Sequence, residues 1–357
     1  AVAVATPGPG GGTSAARSFT VVAGAPATVW VDDDWTGPDD CGGHVWGHDA
    51  FAVIQAGVNA VAAGGTVNVA AGTYLESNIV VDKGITVQGQ GAARADVVIA
   101  PAAEDANVDN AFGSSAQNGF IVKAHDVTIR NLTLDGRGNP ALTPGRHNFR
   151  TAIVTADTSY PGGGGGTWHN LRLDNVLIRY PYRRGISVFP RAASGTRVEN
   201  SRVEYVAFNH GMYLAGQSEA HSNEVHRAFQ GIVTDLDAGT PAGLVKINGN
   251  TLSEIGNFPG CWGDQGAGAT PRYIGQPRAI QFNNSDAAGR QAEIKSNTIG
   301  DNGLEDSCGA VGIYTRLANA ASVVADNDIA LASGVSWADP GSQAVGLLLG
   351  WSYDNGF

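Results

Sequence analysis

Down the second half of the chain, short apolar alternations return behind the same punctuation. An Asn opens each phrase, and a Gly followed by an alternating apolar pair closes it. Asn175-Val176-Leu177 leads to Gly185-Ile186-Ser187-Val188, and Asn200-Ser201-Arg202-Val203 leads to Gly211-Met212-Tyr213-Leu214. Asn223-Glu224-Val225 leads to Gly231-Ile232-Val233, and Asn297-Thr298-Ile299 to Gly312-Ile313-Tyr314. The first three of these Asn residues stand 25 and 23 positions apart. A period in the low twenties, made of short β-branched runs between Gly and Asn, describes one coil of a parallel β-helix. The expected fold class is therefore all-β.

The pattern extends upstream. Val127–Leu134, Asn170–Leu173 and Leu244–Ile247 read as further strands. Thr66–Val69, Ile79–Val81 and Ile85–Gly89 read as strand, turn and strand near the start. Phe51–Val61 instead spaces its apolar residues as a helix does, with Asp49 before it and Gly64-Gly65 after it. A short N-terminal helix here would cap the open end of the first coil. Residues 1–27 read as a flexible or edge-strand lead-in, and residues 28–357 as one β-helix domain. Three stretches break the repeat: 135–150 with Pro140 and Pro144, 157–167 with glycines at 162–166, and 256–277 with Cys261, Trp262 and Asp264. Long insertions in a regular repeat are expected to wall a functional face. Gly346–Trp351 reads as a buried strand close to Phe357. That end is expected either to continue or to stack end to end on another molecule.

The stretch Ala50-Phe51…Ile54-Gln55-Ala56…Val58-Asn59-Ala60-Val61…Gly64-Gly65-Thr66-Val67-Asn68-Val69-Ala70…Gly72-Thr73-Tyr74…Glu76, followed by Ile85-Thr86-Val87-Gln88-Gly89-Gln90-Gly91, carries a resemblance. It resembles the opening of right-handed parallel β-helix proteins of the pectin lyase-like superfamily. The resemblance is strongest over 45–91 and implies three strands per coil with a groove along one sheet. It implies no single reaction, because that superfamily hosts several enzyme classes and non-catalytic surface proteins. Gly72–Glu76 resembles the start of pectin methylesterases, yet no Gln-Asp-Thr-Leu segment follows. Asn209-His210-Gly211 is similar to the Gly-His-Gly of polygalacturonases, whose Asn-Thr-Asp and Arg-Ile-Lys elements are absent, and no Arg-x-Pro-x-x-Arg of pectate lyases is present.

Composition adds three constraints. The 50 glycines among 357 residues are about twice ordinary usage, which suits a chain that turns often in left-handed conformations. No apolar run reaches the roughly 18 residues of a membrane span. The net charge of −11 argues against general nucleic-acid binding. Within 130–202, however, stand 11 Arg and no Lys against Asp135, Asp157, Asp174 and Glu199. Such a basic belt on an acidic rod suits an anionic ligand, or merely keeps outward turns solvated. The small-residue start, Ala1–Gly12, and three Cys fit a secreted or cell-surface chain. Cys261 and Cys308 are two coils apart and form the candidate disulfide, with Cys41 free.

Strand alternation puts the residue after each phrase Gly inward and the next one outward. Stacking the phrases lines up Ser187, Tyr213, Val233, Gln281 and Tyr314 on one outer face, flanked by Arg183, Arg184, His210, Gln230, Arg278, Asp235, Asp237 and Arg316. Arginines, amides and aromatic rings on one face suit an acidic polysaccharide. In β-elimination or C5 epimerisation of a uronate, Arg184 would neutralise the carboxylate while His210 and Tyr213 move protons. Arg183, Gln230, Trp262, Arg278, Gln281, Tyr314 and Arg316 would bind substrate. Alternatively Asp235 and Asp237 form the carboxyl pair of a glycoside hydrolase, about 5 Å or about 6.5–9.5 Å apart. A third reading is a non-catalytic, fibre-forming surface protein. Separately, Asp32, Asp33, Asp34, Asp39 and Asp40 form either a solvated acidic turn or a Ca2+ loop.

Overall fold

The computed structural model describes residues 24–105, 116–143, 149–155, 166–207, 209–237, 239–256, 262–263, 272–273, 277–284, 290–302, 310–316, 321–331 and 344–350. Cys261, Cys308, Asp264, most of the 162–166 glycine run and residues 351–357 lie outside the described residues, and with the two cysteines the candidate disulfide.

The fold is a parallel β-helix. One nine-stranded sheet takes its strands in strict chain order: β1 (Ile79–Val81), β2 (Phe120–Val122), β3 (Phe149–Thr155), β4 (Pro181–Val188), β5 (His210–Ala215), β6 (Gln230–Leu236), β7 (Arg278–Asn284), β8 (Ala310–Arg316) and β9 (Ala344–Gly350). Each pairs in parallel with the next. The remaining coil strands form an eighteen-stranded sheet, also parallel. Thr196–Glu199 pairs with Ser218–His221, and Arg202–Glu204 with Glu224–His226, so the chain meets the same faces once per turn. A two-residue antiparallel pairing of Trp262–Gly263 with Arg272–Tyr273 stands apart.

The β-branched runs fill the interior in register. Val198, Ala220, Ile247 and Ile294 form one inward column. Val203, Val225, Leu252 and Ile299 form a second, and Ile186, Met212, Ile232, Ile280 and Ile313 a third. All are fully buried. Each large aliphatic side chain removed from water contributes about 1.5–3 kcal/mol.

Helix α1 (Ile54–Ala60) is shorter than the expected 51–61, because Ala50–Phe51 pairs as a strand with Trp30–Val31. Its first turn is capped not by Asp49 but by Glu76, whose carboxylate accepts from the amides of Ile54 (2.6 Å) and Gln55 (3.0 Å). Asp49 serves the amide of Val45 instead (2.6 Å). The lead-in is tied down from Pro26, whose carbonyl accepts from Ala62, and Thr28–Val31 pairs with Thr66–Val69. Cys41 is a buried free thiol.

The glycines of the repeated phrase do not sit at turns. Gly185, Gly211 and Gly231 lie within β4, β5 and β6. A Cβ on Gly231 would stand 2.2 Å from the carbonyl oxygen of Ala279 and 2.5 Å from Leu252, so close approach of the next coil requires glycine. The asparagines of the phrase also divide. Asn175 and Asn200 hold left-handed backbone at a corner, as Ser222 and Gly249 do in the following coils. Asn223 and Asn297 lie one step further on and point inward, with Ser201, Asn250 and Asn327 on the same column. The 25-residue spacing from Asn175 to Asn200 therefore compares equivalent corners, whereas the 23-residue spacing from Asn200 to Asn223 compares two different positions. A second left-handed corner, Tyr180, Tyr205, Arg227 and Glu254, follows the first by five residues in all four coils.

The inward Asn column forms a continuous ladder. Asn250 Oδ1 accepts from the backbone amide (2.9 Å) and side-chain amide (3.0 Å) of Asn223. Asn250 in turn bonds Asn297 through its own backbone and side-chain amides, both at 2.9 Å. Asn297 repeats the pattern with Asn327. Each side chain also reaches backward to a carbonyl: Asn223 to Val198, Asn250 to Ala220 and Asn297 to Ile247. Replacing Asn250 by Ala strands these buried donors and acceptors, and stability is expected to fall by roughly 1–3 kcal/mol. Urea unfolding followed by circular dichroism measures this; an unchanged midpoint would remove the ladder from the account of stability.

Candidate functional site

The outer face of the nine-stranded sheet carries the expected column in one register. Ser187 pairs with Tyr213, Tyr213 with Val233, Val233 with Gln281, and Gln281 with Tyr314. Most of it is covered: Ser187 is 0% exposed, Val233 2%, Gln281 9% and Tyr314 2%. Arginine side chains account for part of this cover. The Arg184 guanidinium lies 5.2 Å from the Tyr213 ring centre and 5.5 Å from that of Phe189. Arg278 lies 4.1 Å above Tyr314.

Arg184, His210 and Tyr213 converge. Arg184 Nε donates to His210 Nδ1 at 3.3 Å, and its Nη1 donates to Ser187 Oγ at 3.3 Å. The imidazole and phenol ring centres are 5.3 Å apart. Because a guanidinium only donates, Nδ1 must be the accepting nitrogen. Burial first, and then the charges of Arg184 and Arg183, pull His210 well below its ordinary 6.5, against an opposing hydrogen bond with Gln230. His210 is thus a neutral imidazole at neutral pH whose basic nitrogen is occupied by Arg184. Gln230 pairs with His210 in register and is itself buried.

Tyr213 donates through its hydroxyl to Asp235 Oδ2 at 2.9 Å. Burial, and then the negative charge of Asp235, raise its pKa far above that of an ordinary phenol. The Asp235 carboxylate is held by Tyr213, by the Arg191 guanidinium, and by Asn283 Nδ2 at 3.0 Å. The site is a row: Arg184 to His210, Tyr213 to Asp235, and Arg191 at the far side.

Asp237 stands differently. Its Oδ1 accepts from Gly239 N at 2.8 Å in a turn that ends β6, and its Oδ2 lies 3.6 Å from Arg191 Nη1. Arg191 thus bridges the two carboxylates proposed as a hydrolytic pair. Arg278 Nη1 donates to Gln281 Oε1 at 2.7 Å, and Arg316 pairs in register with Asn283. Arg183 contributes charge beside His210. The side chain of Trp262 lies outside the described residues.

Arg191 is a site residue that strand alternation does not single out, and Phe189 beside it completes the cover over Tyr213. Arg191 follows the strand in Phe189-Pro190-Arg191, where alternation no longer dictates direction. Arg191 reaches Asp235, 44 positions away, which only the stacking of coils makes possible.

The basic belt is divided by the fold. Arg172 and Arg197 pair with Glu199, Arg202 with Glu204 and Glu224, Arg179 with Asp135, and Arg150 with the buried Asp105. Most of its charge is thus answered locally, and much of it lies on the other sheet.

The acidic run near the start serves backbone amides. Asp32 accepts from Asp34 N, Asp33 from Thr73 N, and Asp40 from Thr36 and Gly37. Hydrogen bonds from the Thr36 side chain and backbone lower the Asp40 pKa. Asp34 and Asp39 are exposed on two successive turns. Among the described residues, no group of three or more His, Cys, Asp or Glu side chains is gathered for a metal ion.

No family model matches the chain, and no curated protein matches it. Solved structures similar to it include the pectin methylesterase from Aspergillus niger, at 12% identity over 93% of this chain and 88% of that one, with a TM-score of 0.46. The pectin methylesterase PemA from Erwinia chrysanthemi is similar at 11% identity over 87% and 94%, TM-score 0.39. The A-module of the Azotobacter vinelandii mannuronan C-5 epimerase AlgE4 is similar at 16% identity over 79% and 91%, TM-score 0.36. The fold stands on the strand registers above, and no residue role is carried over from these proteins.

The state of His210 is directly measurable. In a histidine-resolved NMR titration its imidazole should take a proton only well below pH 6.5, and Arg184→Gln should raise that midpoint by removing a neighbouring cation. The unfolded chain protonates His210 near its ordinary value while the folded chain does not. This residue's share of stability is therefore complete above pH 6.5 and shrinks as the pH falls below it. A midpoint at 6.5 or higher in the wild type would contradict the packing described.

Proposed function

We propose that this protein is a secreted or cell-surface carbohydrate-active enzyme of the pectin lyase-like superfamily. It acts on a uronate-containing polysaccharide by removing the C5 proton, leading to β-elimination or C5 epimerisation. In this reading the fold is a right-handed solenoid with three strands to a coil, its first coil closed by α1, and it forms one domain over 28–357. The observation that carries the proposal is a neutral His210 whose basic nitrogen is covered by Arg184, beside a phenol held in its protonated form.

A uronate carboxylate is a better partner for a guanidinium than an imidazole nitrogen, because the pair is charged and bidentate. When Arg184 turns to that carboxylate, its Nε–H leaves His210 Nδ1 and the lone pair is released. The same guanidinium then stabilises the negative charge that develops on the carboxylate as C5 loses its proton. His210 Nδ1 takes the proton, and the electron pair left on C5 forms the C4–C5 double bond as the C4–O4 bond breaks. Tyr213 gives its proton to O4 and recovers one from His210, restoring the site. In epimerisation the C4–O4 bond stays and C5 takes a proton on the opposite face from Tyr213. Asp235 and Arg191 orient the phenol throughout. The hydrolytic alternative through Asp235 and Asp237 has less support, since Arg191 occupies the space between them.

A second reading, a non-catalytic surface protein that associates end to end, draws on one observation: the outer column is covered at Ser187, Val233 and Tyr314. The two readings separate in one assay. Polygalacturonate, polymannuronate and polyguluronate are incubated in D2O, and ultraviolet absorbance of unsaturated product and deuterium at C5 are recorded. Either signal is expected from the wild type, and His210→Ala and Tyr213→Phe should each lose about 10²-fold or more. Absence of both signals, with end-to-end particles in electron micrographs, would overturn the enzymatic reading. The free enzyme's kcat/KM should fall on the acid side only below pH 6.5, and Arg183→Gln should move that limb upward.

A further inference from the structure

The arrangement around Arg184 occurs twice on the outer face. Arg184 precedes the column residue Ser187 by three positions, donates to its side-chain oxygen at 3.3 Å, and lies over Tyr213 of the next strand at 5.2 Å. Arg278 precedes the column residue Gln281 by three positions, donates to its side-chain oxygen at 2.7 Å, and lies over Tyr314 of the next strand at 4.1 Å. Both arginines are partly exposed while the groups beneath them are largely covered. The two units differ at one informative place. Three positions before Tyr213 stands His210, and three positions before Tyr314 stands Val311, in register with Arg278. The second unit repeats the guanidinium and the ring but has no base.

Ser187 and Gln281 belong to β4 and β7, with β5 and β6 between them. Three steps between neighbouring parallel strands amount to about 14 Å. A polyuronate laid along the stacking direction presents one carboxylate per sugar, and an extended pyranose residue rises by about one strand spacing. A chain whose carboxylate sits at Arg184 therefore brings the carboxylate of the third sugar along near Arg278.

From this repetition we infer that Arg278 and Tyr314 form a second carboxylate subsite, which holds the polyuronate three sugars from the reacting residue without acting on it. This rests on the proposed reaction for the direction of the chain and for the role of Arg184. Two-point attachment makes length matter: an oligouronate of four or more residues engages both guanidinia, and one of two or three residues engages one. The second contact adds effective concentration as well as charge pairing, so affinity rises in a step between the trimer and the tetramer.

The test is calorimetric titration of oligogalacturonates and oligomannuronates of two to eight residues into the wild type, Arg278→Gln and Arg278→Lys, with turnover measured in parallel. For the wild type the tetramer is expected to bind about tenfold more tightly than the trimer. Arg278→Gln should abolish that step, raising KM for the octamer with kcat little changed, and Arg278→Lys should restore part of it. A smooth length dependence in the wild type, or a step that survives in a folded Arg278→Gln, overturns the subsite whatever the activity. A step that depends on Arg278 in a protein that turns over none of these substrates upholds the subsite and removes the reaction assigned to His210.

Discussion

An amide buried between the coils of a solenoid has no water to turn to, so it must be answered by the coil on either side. Asn223, Asn250 and Asn297 meet that demand with every polar atom they have, bonding forward to the next Asn and backward to a carbonyl of the previous coil. Leaving any one of them unpaired in this apolar interior would cost more than the bond itself contributes. The consequence is positional. A slip of one residue in any coil would break the column, so the ladder holds the register on which every other alignment in the molecule depends. The outer row from Ser187 to Tyr314 is one of those alignments, as is the contact of Arg191 with a carboxylate two strands away.

Electrostatics along the rod divides into two kinds. On the larger sheet, charges of opposite sign face one another across strands, as Arg197, Glu219 and Lys246 do, and these partly exposed pairs are each worth about 1 kcal/mol or less. On the smaller sheet the charges are fewer and more enclosed, and they bear on protonation states. Burial, helped by the charges of Arg184 and Arg183, keeps an imidazole neutral, and burial beside Asp235 keeps a phenol protonated. A neutral base beside a retained acid is the combination that proton transfer at a carbon atom requires.

The architecture was legible because its signal is periodic: Gly, then one inward and one outward residue, returned often enough to align Ser187 with Tyr213 and Gln281 with Tyr314. The convergence of Arg184, His210 and Tyr213 followed from the same alternation. What periodicity could not deliver lay off the strands or one step out of phase. Asn200 and Asn223 look equivalent in the chain, yet one bends the backbone and the other fills the interior. The difference of a single position is decided by the corner each coil turns. Arg191 leaves its strand before it acts, and so carries no strand-based prediction of direction. Net charge misled in the opposite way. Eleven arginines in one stretch suggest a basic belt, but carboxylates of neighbouring coils answer several of them, as Asp135 does Arg179 and Glu224 does Arg202.

The two left-handed corners bear on how such a chain can change. Asn175 and Tyr180, Asn200 and Tyr205, Ser222 and Arg227, and Gly249 and Glu254 each enclose the same five-residue step. Successive coils nevertheless differ in total length, so the slack is carried almost wholly by the segment holding the smaller sheet's strand and the connection after it. The molecule is built like a spine with a rigid back and an adjustable front. Insertions can lengthen the front, and so vary what it presents, while the rise from coil to coil stays as it was.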